Sequence, residues 1–442
     1  MSRRDIEVSL PVLTRVEGEG ALELEVEGGR IRSLALRIFE PPRYFEKFLE
    51  GRDAQEVIDI VARICGICPV AYQLTAAEAL EGLAEVVPPD WARAMRHVMY
   101  CGEWLQSHAL HIHLLALPDL FEVDSVVQLA ALHPEPVRRG LRLQTLGNDL
   151  IALFGGRSVH PVGIRPGGLF HAPEPAAVRD IRERLDEALE DAMALLVWLR
   201  AQPLPGSAQS FPSVAVGGGE GHPFFGTEIH VSDGSRIAVA EFGSMFEEVQ
   251  VPHSTAFHAL YRGRPYLVGP LARLNLFADR LPDFLIHELA RLDIRFPSGN
   301  PFHSLLARAV EIIQVIHMAR ELLSHYAQPQ RSAADWSPRA GVAVAGTEAP
   351  RGLLWHRYEL DASGAVRSAR IVPPTSQNQA RIEADLRASL EALGLDRSDT
   401  ELRMFGERII RNYDPCISCA THFLRFRVKR DQAGCDDLPK TC

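Results

Sequence analysis

Two cysteine pairs stand near opposite ends of the 442-residue chain, Cys65-Gly66-Ile67-Cys68 and Cys416-Ile417-Ser418-Cys419. Seven cysteines is an odd count, and four of them fall in C-x-x-C pairs. That usage points to metal or redox chemistry in a reducing compartment, not to a disulfide framework. Four converging thiolates form a soft tetrahedral site suited to zinc, iron–sulfur or nickel. A structural zinc site is the plainer alternative. Zinc ribbons, however, hold their pairs within roughly 15–20 residues of each other, whereas these pairs are separated by most of the chain. At this point both a zinc site and a redox or catalytic metal stay open.

The elements that must position the pairs are legible in outline. Residues 5–38 alternate apolar and polar around a Glu27-Gly28-Gly29 turn and predict an N-terminal β meander over 1–40. From Ala54 to Leu83 the periodicity is helical, broken at Gly66 and Pro69, so the first pair lies at a helix break. Trp91 to Leu117 reads as one buried helix of about 40 Å. Residues 173–202 and 304–327 predict two further long helices, which makes a bundle. Short β-like runs in 203–300 and a meander in 340–373 complete an α+β class, mainly helical, with small sheets outside a helical centre. No repeat, low-complexity tract or linker divides the chain, which predicts one interwoven unit over 1–442.

Composition bounds the function. Acidic residues outnumber basic ones, 57 to 47, for a formal charge of −10, and the basic residues form no block, which disfavours nucleic acid. No stretch offers about 18 uninterrupted apolar residues, and Arg3-Arg4 is followed by acidic residues instead of an apolar signal core. The expectation is a cytoplasmic protein without a membrane span. No G-x-G-x-x-G fingerprint or flavin signature is evident, so any nicotinamide chemistry belongs to partners.

The flanks of the pairs carry more. Arg63-Ile64-Cys65-Gly66-Ile67-Cys68-Pro69 and Asp414-Pro415-Cys416-Ile417-Ser418-Cys419-Ala420-Thr421-His422 resemble the two signatures of nickel–iron hydrogenase large subunits. Further matches run along most of the chain: Leu13-Thr14-Arg15-Val16-Glu17-Gly18, Phe45-Glu46 ahead of Gly51-Arg52-Asp53, Ser107-His108 with His111, Pro350-Arg351-Gly352, and Val372-Pro373-Pro374-Thr375. The resemblance implies a hydrogenase large-subunit fold and reversible heterolytic cleavage of dihydrogen. It further implies a nickel–iron centre with carbon monoxide and cyanide on iron. Cys65, Cys68, Cys416 and Cys419 would bind nickel, with Cys68 and Cys419 also bridging to iron. Glu17 would relay the proton, Arg351 would overhang the open side of the metals, and Asp414 would orient it. Pro350 and Thr375 would contact the diatomic ligands. Glu46, the carbonyl of Ile371 and His422 would hold a magnesium (or iron) ion, while His108 and His111 would act by hydrogen bonding. Implied partners are an iron–sulfur small subunit and flavin- and NAD(P)-binding diaphorase subunits.

Three positions depart from the family pattern: Tyr72 and Glu19 where histidine is common, and Ser107 where aspartate is common. Together with the short N-terminus they resemble the cytoplasmic bidirectional branch, which includes sulfhydrogenases. Residues 423–442 form an extension of the kind that an endopeptidase removes in many relatives, so Cys435 and Cys442 are not expected as ligands, and Cys101 reads as a packed apolar residue. The competing function is a non-catalytic electron-transfer or scaffold subunit of a related respiratory complex. Such relatives lack the complete cysteine set.

Overall fold

A computed structural model describes residues 6–10, 12–206, 208–218 and 223–421. His422 and the 423–442 extension, with Cys435 and Cys442, lie outside the described residues. At the centre, the Asp90–Leu110 helix packs between the Pro134–Gly155 and Ser304–Ser324 helices, with the Pro175–Arg200 helix behind them. The Pro134–Gly155 helix was not anticipated, although its buried Val137, Leu143, Leu146, Leu150 and Ile151 recur at helical spacing. Its approach is set by glycine. A Cβ at Gly102 would lie 2.8 Å from the Gly147 carbonyl, and one at Gly147 would lie 2.6 Å from the Gly102 carbonyl. Only two glycines let these backbones come so close.

The expected 91–117 helix is not α-helical throughout. It passes into a π-helical turn over His111–Ala116 before resuming at Leu117–Leu120. His113 Nδ1 bonds to the Ala109 carbonyl at 2.9 Å, so a side chain takes an acceptor that the backbone ladder otherwise uses. Gly140 makes room for that ring, since a Cβ there would meet His113 at 2.3 Å. Wider turns of this kind recur at functional sites.

The N-terminal meander forms as expected, with strands Ile6–Leu10, Gly20–Glu27 and Arg30–Ile38 antiparallel in sequence order. Its register sets Leu22 opposite Leu36 and Leu24 opposite Leu34. The apolar face packs on the C-terminal part of the chain: Leu13, Leu22, Leu36 and Ile38 share a core with Ile409, Ile410 and Ile417. Burial of this kind contributes on the order of 1.5–3 kcal/mol per large aliphatic side chain, and it brings the N-terminal meander against the segment that carries the second cysteine pair. The 340–373 meander is also present as Gly341–Ala349, Gly352–Leu360 and Val366–Val372, extended by the short strand Phe225–Gly226. Two long helices follow, Pro374–Leu393 and Asp399–Asn412, the second opened by a Ser398/Glu401 capping box. No helix among the described residues is long and apolar enough to cross a membrane.

Candidate metal centre

The first pair sits in the gap between helices. Cys65 is extended, and Cys68 caps the Pro69–Ala84 helix, whose proline occupies the first turn, where its missing N–H costs nothing. The backbone N–H groups of Ile67 and Cys68 donate to Cys65 Sγ at 3.3 and 3.1 Å. Arg43 holds the preceding turn through the Ile64 and Arg63 carbonyls at 2.7 and 3.1 Å, and Gln106 holds the Ile67 carbonyl at 2.5 Å. Behind the pair, the buried carboxyl of Glu103 accepts from Val70 and Ala71 N–H at 2.6 and 3.0 Å, capping the start of the helix, while burial pushes its pKa well above the usual carboxylate range despite these two hydrogen bonds.

The second pair is threaded past the N-terminus. Asp414 adopts positive φ at 54°, which turns the chain into Cys416. The Cys416 N–H donates to Thr375 Oγ1 at 3.0 Å, and the Ile417 N–H donates to the Glu17 carbonyl at 2.8 Å. Gly18 makes this crossing possible, because a Cβ there would lie 2.7 Å from Ile417 Cβ, and its φ is +91°. The Glu17 carboxylate accepts from the Ser418 N–H at 3.1 Å, and the same oxygen lies 3.1 Å from Cys416 Sγ.

All four cysteines converge and are nearly inaccessible, between 2% and 4% exposed. Cys65 Sγ lies 2.9 Å from Cys68 Sγ and 3.6 Å from Cys416 Sγ, and the Cys65, Cys68 and Cys419 sulfurs fall within 4.8 Å of one another. The Cys416 and Cys419 sulfurs are also in contact, across a Cα separation of 5.4 Å. Burial pushes the Cys65 thiol up, but the hydrogen bond from Cys68 and the Arg351 charge more than offset it and leave it below its usual value. The same hydrogen bond, with burial, pushes Cys68 up.

Above the sulfurs stands Arg351, 4% exposed. Its Nε donates to the Asp414 carbonyl at 2.8 Å and one terminal nitrogen donates to Asp414 Oδ1 at 3.0 Å, the charge-assisted orientation expected of this pair. Burial opposes its charge, yet Asp414 and the thiolates of Cys68 and Cys65 raise its pKa further. Asp414 is held below the usual carboxylate range, because Arg351, His111 and Arg308 outweigh its burial. The other terminal nitrogen of Arg351, Nη1, is buried without a hydrogen-bond partner, as is the Tyr72 hydroxyl. A soft donor set, an overhanging cation and unspent buried donors fit a thiolate-bound metal pair with small polar ligands.

His108 and His111 are placed as hydrogen-bonding residues and not as a metal pair. His108 bridges Glu311 at 2.9 Å and Arg308 at 3.1 Å, and His111 meets the Arg411 carbonyl at 2.8 Å. Burial pushes them down to about 4 and about 3, so both are neutral at pH 7. The Pro350 carbonyl accepts from Arg273 at 3.0 Å. Glu46 does reach Ile371, but through the amide: the Ile371 N–H donates to Glu46 Oε1 at 2.6 Å. The third expected ligand, His422, is outside the described residues.

Sequence reasoning missed the buried charges behind Arg351. Arg308 lies 3.4 Å from Asp414 Oδ2 and is pushed down to about 10 by burial. Arg273, wholly buried, bridges Glu311 at 2.7 Å and Glu348 at 2.8 Å and lies over the Trp104 ring at 3.9 Å. The signal was present as Arg308, Glu311 and Gln314 inside an otherwise apolar helical run.

Comparison with known proteins agrees with this geometry. The family model for nickel-dependent hydrogenases matches residues 43–135 and 258–422. Sulfhydrogenase 2 subunit alpha of Pyrococcus furiosus is 31% identical over 95% of this chain and 99% of its own length. The NAD-reducing hydrogenase HoxS subunit beta of Cupriavidus necator is 29% identical over 93% of this chain and 94% of its own. A crystal structure of an NAD+-reducing [NiFe]-hydrogenase in the H2-reduced state superposes with a TM-score of 0.85 at 28% identity, covering 96% of this chain and 100% of that one. With the four cysteines converging and the match running from Arg43 into the second cysteine pair, this chain belongs to the nickel-dependent hydrogenase family.

Proposed function

We propose that this chain is the catalytic subunit of a nickel–iron hydrogenase, which interconverts dihydrogen with protons and electrons. The observation that carries the reading is the Glu17 carboxylate, set 3.1 Å from Cys416 Sγ at the edge of a buried four-cysteine cluster. Cys65 and Cys416 would be terminal ligands to nickel, and Cys68 and Cys419 would be shared with an iron bearing carbon monoxide and cyanide. When bound, such a pair supplies the redox capacity and Lewis acidity that split dihydrogen heterolytically. The chain's own residues do the rest. Cys416 Sγ receives a proton, and Glu17 Oε2 takes it at hydrogen-bond reach. Ser418 N–H fixes that carboxylate in place. Arg351, held by Asp414, presents Nη1 to the open side, where it can polarise a substrate or hold a cyanide. Thr375 and Pro350 would contact the diatomic ligands.

Glu46, the Ile371 carbonyl and His422 would complete a magnesium site once the Ile371 amide contact is exchanged. Electrons would leave to an iron–sulfur small subunit, and the NAD-reducing relative supports flavin- and NAD(P)-binding partners in the cytoplasm. The complete cysteine set with Glu17 in contact argues against a non-catalytic subunit. The test is nickel and iron per chain, with dihydrogen uptake, in the wild type and in Cys416→Ser. The wild type should carry both metals and consume dihydrogen, and the variant should lose uptake because a hard hydroxyl replaces a soft proton-accepting thiolate. Full uptake by folded Cys416→Ser overturns the assignment.

A further inference from the structure

A second cluster of metal-ligating side chains lies away from the cysteines, where three segments meet. His253 is in the 251–256 loop of a β hairpin, and His258 is on its second strand, Phe257–Tyr261. Glu383 comes from the Pro374–Leu393 helix that crosses beneath. One ligand atom from each of the three residues lies within 4.8 Å of the others. The two imidazoles meet edge to face, with ring centres 5.7 Å apart.

The hydrogen bonding around the cluster is lopsided. Glu383 Oε1 accepts from the Leu36 N–H at 2.9 Å and pairs with His253 Nε2 at 2.8 Å. Glu383 Oε2 faces only His258 Nδ1, across 3.9 Å, which is too long for a hydrogen bond. The other nitrogen of that ring, Nε2, is buried without a partner. A buried imidazole nitrogen without a hydrogen-bond partner is costly. His258 Nδ1 and Glu383 Oε2 thus face each other across a space that no hydrogen bond closes. The His258 side chain is 7% exposed, whereas those of His253 and Glu383 are 29% and 19% exposed. The cluster therefore has a closed inner wall and an outer side open to an entering ion and to water.

We propose that His253, His258 and Glu383 form a second metal site in this chain, taking one divalent transition-metal ion of the zinc class with water at the remaining position. Two imidazoles, a carboxylate and water are an established donor set for zinc, and cobalt or nickel can compete for it. On binding, His253 Nε2 exchanges its hydrogen bond for the metal, its proton moves to Nδ1 on the outer side, and Glu383 Oε2 becomes the carboxylate ligand. Oε1 keeps the Leu36 N–H. The ion thus ties the hairpin and the Arg30–Ile38 strand to the Pro374–Leu393 helix. The first turn of that helix carries Thr375, whose hydroxyl holds Cys416. The role is a structural clip, separate from the cysteine centre.

The experiment uses the purified holoenzyme, treated with a chelator under conditions that leave its nickel and iron content unchanged, then equilibrated with zinc alone. Wild type should gain one zinc per chain with a rise in unfolding temperature. His253→Gln and Glu383→Gln should each weaken that zinc at least about tenfold and abolish the thermal shift, with nickel and iron unaltered. His253→Gln alters a partly exposed side chain, so it serves if the more buried His258→Gln does not fold. Wild type that gains no zinc, or variants that bind it as tightly as wild type, would overturn the proposal.

Discussion

Replacing Glu17 with Gln isolates the proton relay from everything else the residue does. The carboxylate makes two side-chain contacts, with Cys416 Sγ and the Ser418 N–H, each at 3.1 Å. A glutamine amide oxygen preserves the acceptor for Ser418, and the backbone bond from the Ile417 N–H to the residue 17 carbonyl is untouched. The fold and the four sulfurs should therefore persist, at a stability change within about 1 kcal/mol. What is lost is the carboxylate that can take a proton from Cys416 Sγ and pass it on. General acid–base catalysis at such contact distance is worth roughly 100- to 10,000-fold, which corresponds to about 3–5 kcal/mol of barrier. The assay is dihydrogen/deuteron exchange in parallel with dihydrogen oxidation, on samples matched for nickel and iron per chain. Both rates should fall within that range while metal content holds. Full exchange activity at full metal content would refute the relay through Glu17, and loss of metal would refute the claim that its contact with the centre is dispensable for assembly.

Gly147→Ala should lower the unfolding midpoint by an amount equivalent to about 1–3 kcal/mol or more, because its Cβ would sit 2.5 Å from Gln106 N and 2.6 Å from the Gly102 carbonyl. Thermal unfolding at wild-type midpoint would count against that helix crossing. The buried His113 is pushed down to about 4 by burial, whereas the unfolded chain takes its proton near pH 6.5. Its contribution is therefore complete above about pH 6.5 and is lost as pH falls toward about 4, on the order of 3 kcal/mol. His113→Gln, which keeps a donor for the Ala109 carbonyl, should unfold with a shallower decline between pH 6.5 and 4. An identical pH profile of denaturation midpoints would remove His113 as a source of acid sensitivity.

The residue types of the centre and most of its neighbours were legible in the sequence. Soft-ligand chemistry follows from two C-x-x-C pairs, and the family-like strings at 13–18, 350–352 and 414–422 single out Glu17, Arg351 and Asp414 as candidate neighbours. Helices and meanders were readable wherever the apolar period was unbroken, as in 304–327 and 340–373. The Pro134–Gly155 helix has a helical apolar period of its own, but the turn at His111–Ala116 was hidden because only a neighbouring glycine, Gly140, frees the space that His113 fills. Convergence itself was decided by the tertiary structure. No local rule brings Glu17 to Cys416; burial of Leu13, Leu22, Leu36 and Ile38 against Ile409, Ile410 and Ile417 does so, because apolar surface from both ends of the chain must share one core. The ion network of Arg273, Arg308, Glu311 and Glu348 is likewise a tertiary outcome. A charge within a helical run has the same local signature whether it faces water or another buried charge, and only the packing of three elements around it shows which.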